Sequence, residues 1–146
     1  MKKLYVLLTV CLCMMLSSCK IHTSHNGKLD GLWQVVVKEN LTTGETVDMR
    51  DYSATWSVQG DLLMMRMNGS PELIWRFNHK DDVLVLSDPY LSARFGEQGT
   101  DVKLEDVSVV EPYGLSALEE YLKVITLNGD DMILESSTSR LVFRKY

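Results

Sequence analysis

The chain has 146 residues, 45% of them apolar, 24% charged and 8% aromatic, with a net charge of −5 and a pI near 5.1. That is enough chain for one domain with a packed core. A mean hydropathy of −0.05, with no apolar run of roughly 20 residues after the N-terminus, excludes a polytopic helical membrane protein. The acidic balance removes the basic surface on which non-specific nucleic-acid binding depends.

In chain order, Lys2 and Lys3 form a basic n-region, residues 4–16 an apolar h-region, and the small residues Ser17 and Ser18 lead to Cys19. The layout is that of a secretory signal peptide, too short for a membrane span. The tetrad Leu16-Ser17-Ser18-Cys19 resembles the lipobox of bacterial lipoproteins. The resemblance implies that residues 1–18 are removed and that Cys19 carries acyl chains of the palmitate type, making a lipid bilayer its partner. Losing Lys2 and Lys3 with that segment takes the net charge from −5 to −7. All three cysteines lie in this segment or at its edge, so the folded domain has no disulfide and depends on its hydrophobic core. Lys20 stands where lipoproteins retained in the inner membrane carry Asp, which points to the outer membrane. No acidic run follows, so the periplasmic face is expected rather than the cell surface.

Residues 19–28 are expected to be the lipidated Cys and a flexible tether. His22 and His25 lie in it without a third ligand, which argues against a metal.

From residue 29 onward, short alternating segments recur about every ten residues between turn signals, the pattern of an all-β chain. Expected strands are 31–38, with Trp33, Val35 and Val37 on one face, then 53–58, 62–67, 73–77, 83–87, 102–110, 122–127, 132–135 and 140–144. Asn68-Gly69 is a strong hairpin signal, and residues 78–82 and 128–131 read as turns. Ser116 and Glu119 fit a capping box, with Leu118, Tyr121 and Leu122 at helical spacing, so one short helix is expected over 116–122.

A meander of about eight strands hides its edges best by closing into a barrel. Asp30-Gly31-Leu32-Trp33 on the first strand resembles the Gly-x-Trp signature of lipocalins and related calycins. The segment 140–146 resembles their closing strand. With the lipobox, the chain is similar to lipocalin-like lipoproteins of Bacteroides-type bacteria. The resemblance implies a single antiparallel up-and-down β-barrel over residues 29–146. In it Gly31 and Trp33 plug one end, and Arg140 or Arg144 stacks over the indole by a cation–π contact. The long helix that precedes the last strand in typical lipocalins, and their mid-chain Thr-Asp-Tyr-type element, are missing here.

Catalytic motifs are not found. The sequence has no Gly-x-Ser-x-Gly elbow, phosphate-binding glycine loop or His-Glu-x-x-His. His79 lies in the expected turn at 78–82. Of the carboxylate pairs Asp81-Asp82, Glu105-Asp106, Glu119-Glu120 and Asp130-Asp131, three fall on turns or the expected helix, where charge serves solvation. Neither an enzyme activity nor a cofactor or metal is expected. Binding remains. An eight-stranded barrel holds one small ligand or is filled by its own side chains. The expected inward face is Val35, Trp56, Met65, Met67, Trp75, Phe77, Leu84, Leu86, Leu127, Leu134 and Phe143. These residues line either a pocket for a small apolar or amphipathic molecule or simply a core. Tyr90, Arg94 and Tyr113 are candidates for its rim. The alternative to a carrier is a structural or protein-interaction lipoprotein, of the inhibitor type, with a filled barrel.

Overall fold

The computed structural model describes residues 24–94 and 99–146. Its strands are β1 (Gly31–Asn40), β2 (Thr46–Asp48), β3 (Thr55–Gln59), β4 (Leu62–Met67), β5 (Ser70–Lys80), β6 (Val83–Leu91), β7 (Val102–Lys103), β8 (Glu120–Leu127), β9 (Asp131–Glu135) and β10 (Ser139–Lys145). Eight of them close into an antiparallel barrel in the order β1-β3-β4-β5-β6-β8-β9-β10, and β10 returns to pair with β1. The short strands β2 and β7 add to β1 and β6. No described helix is long and apolar enough to cross a membrane.

Alternation drives this arrangement. Trp33, Val35, Trp56, Val58, Leu63, Met65, Leu73, Trp75, Leu84, Leu86, Met132, Leu134, Leu141 and Phe143 are all buried in one core. Their strand neighbours are mostly half-buried or exposed, as a pleat with one face in and one face out requires. At one end the 3-10 turn Gly27–Leu29 closes the barrel. Leu29 is buried there, and the Trp33 indole Nε1 donates to the Leu29 carbonyl at 2.8 Å. At the other end the connection from β7 to β8 folds across the opening as a strap. It consists of the 3-10 turns Val107–Val109 and Glu111–Tyr113 followed by a bend, and it buries Val110, Tyr113 and Leu115.

Several expectations are corrected. The one short helix before the C-terminal strands is made by those 3-10 turns rather than by residues 116–122. Glu120 and Leu122 are buried while Tyr121 and Lys123 are exposed, so this stretch follows the two-residue period of β8. The capping role passes to Glu120, whose Oε2 accepts from the backbone N–H of Ser116 at 2.6 Å and of Ala117 at 3.0 Å. Glu119 instead accepts from the Tyr121 hydroxyl at 2.6 Å. The strand expected over 102–110 shrinks to Val102–Lys103 because Asp106 turns the chain, its carboxylate taking the Ser108 N–H at 2.9 Å. His79 belongs to β5, opposite Leu84, since the turn is confined to Asp81 and Asp82 with Asp81 at φ 56°.

Val37 leaves the inward face. A bulge between Val35 and Val37 shifts the register of β1, so Val35 pairs with Phe143 but Val37 with Val142, and Lys38 takes the inward position opposite Leu141. Within the segment expected to be a tether, Ser24 and Asn26 are hydrogen-bonded to the folded domain. Ser24 Oγ donates to Asp30 at 2.6 Å and accepts the Gly60 N–H at 3.0 Å, and Asn26 Nδ2 donates to the Gly60 carbonyl at 2.6 Å. The chain from Ser24 is therefore docked on the barrel. Cys19, Lys20 and His22 lie outside the described residues.

Candidate functional site: the barrel interior and the groove at its rim

The interior is packed. Trp33, Leu63, Met65, Leu73, Trp75, Leu84, Leu86, Met132, Leu134 and Leu141 are 0% exposed and belong to one core cluster. Of the eleven expected ligand-lining residues, Val35, Trp56, Met65, Trp75, Leu84, Leu86, Leu134 and Phe143 are buried in this core. Met67, Phe77 and Leu127 are half-buried and pack against it. The eight buried side chains belong to the core cluster, the second of the two arrangements left open by the sequence. Trp56 meets Phe143 edge-on, with ring centroids 4.8 Å apart and planes at 64°. The indole N–H groups of Trp56 and Trp75 are buried and have no partner among the described residues.

Trp33 is buried beside Leu29, and the cation over its ring is Lys145 rather than Arg140 or Arg144. Lys145 places its Nζ 4.8 Å from the Trp33 ring centroid and donates to the Lys28 carbonyl at 3.0 Å. It stands opposite Trp33 in the β1–β10 pairing, on the same side of β10 as Leu141 and Phe143. Arg140 and Arg144 alternate to the outside. Arg140 bridges Glu39 at 3.0 Å and Glu135 at 2.9 Å, while Arg144 is exposed. Gly31 adopts φ 119°, and a Cβ there would lie 3.0 Å from Lys145 Cε, so glycine lets the lysine cross the Trp.

Space large enough for a ligand lies at the rim, between the β4–β5 hairpin, β2 and the strap. A groove of about 430 Å³ is lined by Lys38, Val47, Met49, Tyr52, Met67, Asn68, Gly69, Ser70 and Pro112. Its floor is apolar through Val47, Met49 and Met67. Lys38 marks one edge, its Nζ donating to the Pro112 carbonyl at 3.1 Å. Met67, Asn68 and Ser70 also border a second, polar depression of about 310 Å³ that reaches Arg66, Glu72 and Arg94. Apolar floor and charged edge together suit a molecule with an apolar body and a polar end. Sequence reasoning missed most of this groove because its walls come from loops and from Lys38, which faces inward only after the bulge. Met67 is the one expected lining residue that it contains.

Electrostatics fix the rim. Glu72 is buried and paired with Arg66. Burial pushes its carboxyl up, but hydrogen bonds from Ser92 and Arg66, with the charges of Arg66 and Arg94, outweigh this and hold it below the usual carboxylate value of 4.5. Because the folded-state pKa is depressed, this group's contribution to stability is complete above pH 4.5 and is lost as pH falls through the folded-state value. Glu72→Gln should therefore lose less stability on acidification than the parent, read as the urea midpoint across that window. Parallel pH profiles would contradict the pairing. Tyr113, expected at a loop rim, is buried and donates to the Pro71 carbonyl at 2.6 Å. Burial, aided by the Glu72 charge, pushes its hydroxyl up to about 12. Tyr90 sits apart on the outer face, opposite Ile74, and Arg94 is at the polar depression.

Within the acidic pairs, the carboxylates of Asp106, Glu119 and Glu120 take local hydrogen bonds. Asn128 Oδ1 takes the N–H groups of Asp130 and Asp131, each at 2.8 Å, which accounts for that turn without an ion. Among the described residues, no three potential metal ligands come together.

Comparison with known proteins agrees with this architecture. Two crystal structures share the fold, each with a TM-score of 0.56. One, a lipocalin-like protein from Bacteroides uniformis, is 16% identical, and the match covers 82% of this chain and 100% of that one. The other, an uncharacterized protein from Bacteroides eggerthii, is 17% identical, covering 80% and 98%. No curated protein matches the chain. The model of a lipocalin-like domain matches residues 14–146. With the closed eight-stranded barrel and its Trp33 plug, that match places the chain in the lipocalin-like domain family, whose fold is typical of small-molecule binding.

Proposed function

We propose that the protein is a lipoprotein anchored through acylated Cys19 to the periplasmic face of the outer membrane, and that it binds a small amphipathic molecule at the barrel rim. The observation that carries the binding reading is the groove of about 430 Å³ floored by Val47, Met49 and Met67 and edged by Lys38. Its volume falls in the range of about 300–1,000 Å³ usual for small-molecule sites. The two methionines give it an adaptable apolar wall. The anchoring reading is supported by the order of Lys2-Lys3, the apolar residues 4–16 and Leu16-Ser17-Ser18-Cys19. The reading is one of binding rather than catalysis, in line with a fold family made up in general of binding proteins.

Dodecanoate is a suitable probe. Ser70→Trp would put an indole into the groove from the hairpin that borders it, and Ser70 is not part of the packed core. Its affinity for dodecanoate, by calorimetry, should fall at least tenfold with the thermal midpoint little changed. Unchanged affinity would contradict a rim site. The filled interior favours a second reading, an interaction scaffold for another envelope protein. The scaffold reading predicts no saturable amphiphile binding by the parent chain.

A further inference from the structure

The docked start of the chain limits how far the closed end can stand from an anchor at Cys19. Ser24 and Asn26 are hydrogen-bonded to Gly60 in the β3–β4 turn and to Asp30, at the end that Leu29 and Trp33 close. Only Lys20 to Thr23 separate Cys19 from Ser24, a span of at most about 18 Å even when fully extended. An eleven-residue strand such as β5, tilted by about 40°, covers roughly 28 Å along the barrel axis. The anchor therefore holds the closed end near the bilayer, and the short span does not allow the barrel to turn over. The surface at this end fits such a neighbour. Tyr146 is 72% exposed and Leu32 and Leu62 are each 43% exposed. Tyr146 N donates to the Leu32 carbonyl, and Leu62 starts the strand after Gly60. Amphipathic tyrosines and isolated leucines are at home at a membrane interface.

We propose that this closed end, with Leu32, Leu62 and Tyr146 around the docked segment, is the surface that rests on the lipid bilayer. The rim groove then opens to the aqueous compartment, so a ligand reaches it through water or from another protein and not laterally from the membrane. Acidic turns at the same end, Asp81-Asp82 and Asp130-Asp131, oppose attraction to anionic lipid, so the short anchor and the apolar corner make the contact.

The inference rests on acylation of Cys19, and the test separates the two. The full chain is produced in a host that processes lipoproteins, with a single environment-sensitive fluorophore on Asp81→Cys at the closed end or on Thr43→Cys at the rim. It is then placed in phosphatidylcholine vesicles containing lipid with a nitroxide-labelled headgroup. Acylated protein should show quenching at position 81 at least threefold stronger than at position 43. Asn26→Ala, which frees the docked segment, should narrow that difference. Equal quenching, or stronger quenching at position 43, would overturn the orientation while leaving the anchor intact. If the chain stays off the vesicles as a Cys19→Ser variant does, acylation itself fails and the orientation falls with it.

Discussion

Replacing Trp33 by alanine is expected to remove about 3–5 kcal/mol of folding stability, the usual cost of deleting a buried large aromatic side chain. Against the 5–15 kcal/mol that holds a typical domain together, such a loss leaves a substantially unfolded or aggregating protein near 37 °C. The physical reasons add up at one place. The indole is fully buried, its Nε1 is bonded to the Leu29 carbonyl, and Lys145 covers its face. Removing it opens a cavity beneath the 3-10 turn at Gly27–Leu29 and leaves the Lys145 ammonium without its aromatic partner. Urea denaturation followed by the fluorescence of Trp56 and Trp75 measures the effect. A loss below about 1 kcal/mol would mean that Trp33 is not the plug of the barrel.

Gly114→Ala is the second large effect, expected at about 2–4 kcal/mol from two sources. The residue adopts φ 84° in the left-handed region, where a side chain costs roughly 1–2 kcal/mol. A Cβ there would also lie 2.8 Å from Leu141 Cδ2 and 3.1 Å from Lys38 Cδ, so the strap would have to lift from the barrel or the core repack. Native-state hydrogen exchange distinguishes these responses. If the strap lifts, the Ser116 and Ala117 amides, held by Glu120 in the parent, lose protection before the strand amides do. Uniform destabilisation without early exchange there would contradict the strap's role as the cover of the open end.

Much of the barrel is legible in the sequence because alternation carries it. Trp33 and Val35, then Trp56 and Val58, then Leu84 and Leu86 alternate without interruption, and each set is found inside. Legibility fails where a single residue changes the count. The extra residue at the β1 bulge sends Val37 out and brings Lys38 in, and no local composition signals it. The cation over Trp33 illustrates a signal that was present. Parity from Leu141 and Phe143 leads to Lys145, not to Arg140 or Arg144, although all three basic residues lie within the same six positions. The stretch 116–122 misleads for the opposite reason, since Leu118, Tyr121 and Leu122 satisfy a helical spacing and also sit beside the alternation of Glu120 and Leu122. The rim groove was hidden because loops form it, and loop positions follow from the closed barrel rather than from local pattern.

Whether a ligand sits at the rim or inside is decided most directly by the two buried indole N–H groups without partners among the described residues, those of Trp56 and Trp75. Titration of the isotopically labelled soluble domain with dodecanoate, followed by two-dimensional NMR, reads both places at once. The rim site predicts saturable shifts at the amides of Met49, Met67, Asn68 and Ser70, with the indole signals of Trp56 and Trp75 unmoved. Shifts centred on those two indoles and on Met65, with the rim amides silent, would place the ligand inside the barrel and contradict the account.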